Sequence, residues 1–151
     1  RDPLKVDEIC SAVVNLSSRK EGALIILQRS SDLTLHLQGS TKLNADIFGP
    51  LIEATFHKDN SMHDGGMYIA IGRIRAVRCV LPVTQRNDIP AELGMRHRAA
   101  LGLAEKTDAL IIIVSEETGL ISLAMDGELH RGIGTNDLQE IVEKELNPAE
   151  D

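Results

Sequence analysis

Apolar positions along this chain switch repeatedly between a three-to-four-residue spacing and unbroken or alternating runs, the two periods that mark helices and strands. Val6, Ile9, Cys10, Val13, Val14 and Leu16 keep the helical spacing behind Asp7, a candidate cap, and predict a first helix that ends near Ser17-Ser18. Gly22-Ala23-Leu24-Ile25-Ile26-Leu27-Gln28 is a continuous apolar run, the mark of a strand covered on both faces. Ser30-Ser31-Asp32 turns the chain. Leu33, Leu35 and Leu37 then alternate with Thr34, His36 and Gln38 and predict a half-exposed partner strand. A second helix is expected over 47–56.

Further on, the runs Met67 to Ile71 and Ile74 to Val83 predict two strands joined at Gly72-Arg73. Pro90 and Glu92 precede a helix expected over 94–106, whose alanines suit close packing on a sheet. Ala109 to Val114 reads as another central strand and Leu120 to Met125 as its partner. Asp126-Gly127 then turns into a strand over 128–131, and Asn136 is expected to cap a last helix that runs to Leu146. No linker or repeat interrupts this order. Residues 1–151 therefore read as one α/β globular domain, a central mixed β-sheet flanked by helices on both faces.

Composition narrows what such a domain can do. Of 151 residues, 42% are hydrophobic and 26% charged, but there are only two Phe, one Tyr and no Trp, so the core is aliphatic and aromatic stacking platforms for single strands or sugars are lacking. A formal charge of -7 argues against a nucleic-acid polymer as partner, which calls for a basic stripe. Cys10 and Cys79 belong to no CxxC or Cys/His pattern and read as reduced, buried thiols of an intracellular protein. No apolar run reaches the length of a membrane span, and Arg1-Asp2-Pro3 lacks the core of a signal peptide. The opening at Arg1 instead of Met predicts an upstream segment absent from this sequence.

Two polar clusters stand out against this background. Asp-Gly is the commonest hairpin signal, and that reading suits Asp126-Gly127, which has alternating apolar residues on both sides. It suits His63-Asp64-Gly65-Gly66 poorly, because 57–61 upstream does not read as a strand. A loop that delivers His63 and Asp64 to the mouth of a strand fits better. Arg96-His97-Arg98 could be a solvated helix face, yet Arg96 and Arg98 would lie roughly 200° apart on a helix. The cluster fits the first turn, where free N–H groups and the dipole favour phosphate. One of the two arginines could instead brace a carboxylate, and the sequence leaves open which.

Ser115-Glu116-Glu117-Thr118-Gly119 follows an apolar strand at its carboxyl end, a usual place for ligands in α/β sheets, where a hydroxyl and two acids could meet phosphate and metal. His36, His57 and His130 have no such company, and no two histidines show the spacing of a zinc helix. Acid, glycines and arginines together point to a nucleotide-phosphate site with a divalent cation.

Met62-His63-Asp64-Gly65-Gly66, Leu81-Pro82-Val83, Gly94-Met95-Arg96-His97-Arg98-Ala99-Ala100-Leu101-Gly102 and Ser115-Glu116-Glu117-Thr118-Gly119, in this order, closely resemble the diadenylate cyclase domain. The resemblance runs from about Val6 to Gly132. The opening helix and the strand after it are most similar to the membrane-associated class, whose catalytic domain lies in the cytoplasm behind transmembrane helices. The resemblance implies condensation of two ATP into cyclic di-AMP with release of two pyrophosphates, by domains that face each other as a homodimer. It implies that Asp64 activates the attacking hydroxyl with a metal, that Gly65 lets the chain pass close to the nucleotide, and that His63, Asp64 and Glu117 hold Mn or Mg. Leu81 would meet adenine through its backbone, and Met95, Arg96, His97, Arg98, Ser115 and Glu116 would line the rest of the ATP site. A membrane-protein regulator would fit this class.

The chain departs from the family pattern at two places: Gly66 stands where alanine is usual, and Met95 where threonine is usual, which removes a hydroxyl from the ATP site. Two other functions fit the same residues. One is a catalytically silent nucleotide-binding module that regulates a partner. The other is a metal-dependent phosphohydrolase, disfavoured by few and scattered acids.

Overall fold

A computed structural model describes residues 5–147; Arg1-Asp2-Pro3 and the last four residues lie outside them. Seven strands form one mixed sheet in the order β2-β4-β3-β1-β5-β6-β7. These are β1 Ala23–Leu27, β2 Thr41–Ala45, β3 Gly66–Ala70, β4 Arg73–Cys79, β5 Leu110–Val114, β6 Ile121–Met125 and β7 Glu128–Arg131. Four α-helices accompany them among the described residues: α1 Val6–Arg19, α2 Gly49–Thr55, α3 Met95–Lys106 and α4 Leu138–Leu146. Only β1 and β3 run parallel; the other pairings are antiparallel.

The continuous apolar runs occupy the centre of the sheet because both of their faces are covered. In β1, Ala23, Ile25 and Leu27 point into the larger core with α1, α2 and α4, whereas Leu24 and Ile26 point into the smaller one with α3. β5 divides the same way, with Ile112 and Val114 on one side and Ile111 and Ile113 on the other. Helices thus lie on both faces, as the sequence predicts, and the alanine-rich side of α3 does bury Ala100 and Ala104 against the sheet.

Four local expectations fail. Leu33 to Leu37 is not a strand: Thr34–His36 forms a 3-10 turn, and Leu35 is 86% exposed while Leu33 is buried. Asp32 drives this turn, its Oδ1 accepting from the Thr34 N–H at 3.0 Å and hydroxyl at 2.9 Å. α1 starts before Asp7, after a left-handed Lys5, so Asp7 is not its cap; its end at Arg19 is near the expected Ser17-Ser18, closed by a left-handed Lys20 whose N–H bonds back to Ser17 O. β4 stops at Cys79, not Val83; Arg78 takes a positive φ of 61°, Pro82 has no N–H to give, and only a single bridge from Gln38 to Val80 continues the pairing. The residue before α4 is Asp137, not Asn136, and its side chain makes no cap.

Candidate active site

The antiparallel insertion of β5 beside β1 brings the carboxyl ends of β4 and β5 to the same edge as the amino ends of β1 and β3. At that edge lies a cavity of about 940 Å³. Its apolar floor is Leu24, Cys79 and Leu81, and its polar wall comes from the three motifs. His63, Asp64, Gly65, Leu81, Met95, Arg96, His97, Ser115, Glu116 and Glu117 all line it; Arg98 does not. Instead the Arg98 carbonyl accepts from Thr84 N at 3.1 Å, fastening α3 to the segment after β4.

Each motif is held by its own local chemistry. Asn60 begins the 3-10 turn Ser61–His63, with its Oδ1 accepting from Met62 N at 3.1 Å and its Nδ2 donating to Ala54 O at 3.0 Å. His63 Nδ1 lies 2.7 Å from Asn60 O. A carbonyl only accepts, so Nδ1 carries a proton and Nε2 is the ring atom that faces the cavity. That Nε2 lies 3.3 Å from Asp64 Oδ1. Nε2 and the carboxylate oxygen are thus the two atoms this motif could offer a cation, with the backbone carbonyl fixing the ring as such carbonyls do for metal-bound histidines.

Gly65 has a φ of +78°, and a Cβ there would stand 2.7 Å from Cys79 O, so the chain passes tightly across the end of β4. At Gly66 an added methyl would press on Ile26 Cδ1 at 2.9 Å, so Ile26 occupies space that an alanine here would need.

Arg96 and His97 fall in the first turn of α3, which follows the N-cap Gly94. Arg96 Nη1 donates to Glu116 Oε1 at 2.8 Å, which identifies Arg96 as the arginine that braces a carboxylate. His97 is buried, and burial followed by the cationic Arg131 and Arg96 pushes its pKa below the usual histidine value. Met95 is 64% exposed at the rim. Ser115 Oγ accepts from Glu117 N and Thr118 N, both at 3.2 Å, and shapes the loop that presents the two glutamates. Gly119 ties this loop to α1, with its carbonyl accepting from Ser17 Oγ at 2.5 Å.

Sequence reasoning found Leu81 but missed the rest of the floor. Leu24 and Cys79 were legible as core but not as cavity lining, and burial pushes the Cys79 thiol up to about 12, which keeps it neutral and unreactive. It also missed the meaning of Gly102, where a Cβ would stand 1.9 Å from Pro82 O; the glycine inside α3 was the signal. Four carboxylates, Asp64, Glu92, Glu116 and Glu117, line the cavity against a single arginine. An anionic ligand therefore needs a cation to accompany it. Yet among the described residues no three His, Cys, Asp or Glu side chains come together as a metal cage. The donor set suits a cation held partly by the ligand's own oxygens, the habit of Mg with nucleotide phosphates.

Edge cavity, glycine approach and first-turn arginine define a nucleotide-binding α/β domain. Residues 10–129 match the family described as DAC, DisA bacterial checkpoint controller nucleotide-binding, and the chain belongs to it. It is 45% identical over 122 residues to "Diadenylate cyclase CdaS" of Bacillus thuringiensis, covering 81% of this chain and 61% of that one. It is 37% identical over 141 residues to "Cyclic di-AMP synthase CdaA" of Bacillus subtilis, covering 93% and 52%. Among solved structures, DacA from Staphylococcus aureus, a double mutant, superposes with a TM-score of 0.91 at 33% identity over 94% of this chain and 95% of that one. The chain thus spans between half and two thirds of the length of these curated relatives.

Proposed function

We propose that this chain is a diadenylate cyclase domain that condenses two ATP into cyclic di-AMP and two pyrophosphates. The observation that carries the reading is the Asp64 carboxylate, 3.3 Å from His63 Nε2, on the wall of the cavity that Arg96 and Ser115 to Glu117 also line. In each half-reaction a ribose 3′-oxygen forms a bond to the α-phosphorus of the other ATP, the bond from that phosphorus to the β-bridging oxygen breaks, and pyrophosphate leaves. Asp64 takes up the hydroxyl proton as the bond forms. Arg96 steadies charge on the phosphate oxygens, Leu81 offers backbone groups to adenine above the apolar floor, and Ser115 keeps the acidic loop in shape.

His63 and Asp64 would hold Mn or Mg together with the phosphates; Glu117 lines the same cavity but does not join them in a three-side-chain set among the described residues. Such a cation, once bound, would offset the excess of carboxylates and make the attacking hydroxyl more acidic. Histidine in the set favours Mn over Mg. Arg98 contributes from outside the cavity wall, by fastening α3.

One cavity takes one ATP, so two domains must face each other. In support, Val80, Val83 and Met95 leave apolar side chains exposed at the cavity's open side, where a second copy would cover them. Attachment to a membrane rests on the family resemblance; no helix among the described residues is long and apolar enough to cross one.

Incubation with ATP and Mn, followed by chromatography of the nucleotides, tests the reading. Cyclic di-AMP with pyrophosphate is the expected result. ATP recovered unchanged would make the chain a silent nucleotide-binding module, and ADP or AMP would make it a phosphohydrolase.

A further inference from the structure

Gly22 stands immediately before β1, and its φ is not in the left-handed region that favours glycine. No backbone conformation calls for a glycine there. What the position lacks is room: a Cβ built on it would stand 2.5 Å from Arg96 Nη1, 2.6 Å from Arg96 Cζ and 3.1 Å from Arg96 Nε. The three nearest atoms belong to one guanidinium, so the planar group lies across the bare Cα of Gly22. The same Nη1 donates to Glu116 Oε1 at 2.8 Å, and the Arg96 side chain is 23% exposed where that of Glu116 is 70% exposed. Backbone on one element and a carboxylate on another thus fix a long side chain that would otherwise sample many rotamers. Nη2 and Nε keep their N–H donors uncommitted among the described residues.

We infer that Gly22 is a positioning residue: its missing side chain is the seat that holds the Arg96 guanidinium, braced by Glu116, at the phosphate wall of the cavity. The inference rests on the ATP-binding reading given above. It assigns Gly22 no contact with the nucleotide; it acts through Arg96. A guanidinium already oriented loses little freedom when it meets a phosphate, and a shifted one has to find that geometry again.

The clash lies with the far end of a flexible side chain, not with backbone. Gly22→Ala is therefore expected to fold with an unchanged melting temperature and to displace the guanidinium. Affinity for 3′-deoxy-ATP with Mn, read by calorimetry, reports this without turnover, because the analogue lacks the attacking hydroxyl. Gly22→Ala should weaken binding roughly tenfold in the Arg96 chain. The same change should alter binding by under about twofold when Arg96→Lys is already present, since lysine has no planar group to seat. An equal loss in both backgrounds, no loss in either, or a Gly22→Ala chain that fails to fold would overturn the inference. If the coupling is found but the unaltered chain makes no cyclic di-AMP from ATP, the cyclase reading fails and the seat stands. If the unaltered chain does not bind the analogue, both fail.

Discussion

Two hollows of nearly equal size flank the smaller core, one at each end of β1. The first, about 940 Å³, holds the motif residues; the second, about 960 Å³, is lined by Gln28, Asp32, Thr34, Lys42, Tyr68 and Arg75. Size does not separate them; the state of the aspartate in each does. In the second hollow Asp32 is occupied by two bonds from Thr34, and the Tyr68 hydroxyl donates to Gln28 Oε1. Burial and the nearby Asp32 push the Tyr68 pKa up, so it stays a neutral donor. In the first hollow the Asp64 carboxylate meets only the His63 ring among the described residues, and that ring's other nitrogen is already committed. Groups that satisfy one another build structure, while a carboxylate that no backbone N–H or hydroxyl occupies is free to meet a ligand.

The hardest way to break this contrast is Asp64→Asn, which keeps shape and removes the proton acceptor. Cyclic di-AMP formation should fall about 10³-fold with ATP affinity within a few-fold, read by chromatography and calorimetry; undiminished turnover would remove Asp64 from the chemistry. Next comes His63→Ala. It should raise the Mn concentration needed for half-maximal turnover by roughly 10- to 100-fold, and an unchanged requirement would take His63 out of the metal set.

A smaller effect is expected from pH. The pKa of His97 is lower folded than unfolded, so the unfolded chain binds more protons between the two values and stability rises with pH there. Acidification below about 6.5 should therefore lower the melting temperature more steeply in the unaltered chain than in His97→Gln. Parallel curves would rule out His97 as the cause. The smallest expected change tests the second hollow: Tyr68→Phe should cost about 1 kcal/mol of stability and leave turnover within about twofold. A tenfold loss of turnover would erase the distinction between the two ends of β1.

Periodicity made much of this architecture legible. The unbroken runs of β1 and β5 revealed themselves as central because a strand covered on both faces has no polar side to show. β2 went unseen: Thr41–Ala45 is an edge strand whose only large apolar residue is Leu43, so it presents neither period. Leucine alternation over 33–37 misled because two contacts of a 3-10 turn with the core can mimic a strand's spacing. The motif residues of the site were readable one by one, and all but Arg98 line one cavity. Which arginine Glu116 would take, and what lies beneath it, was not readable. Such pairings join β1, α3 and the loop after β5, and they exist only after the sheet has assembled.

Gly102 has a consequence for how this protein can change over generations. With Pro82 O where any Cβ would go, α3 and the stretch that carries Leu81 share one fixed point of contact. Neither wall of the cavity can drift alone. A lineage that reshapes one must reshape the other in step, so variation here is expected in matched sets and not in single replacements.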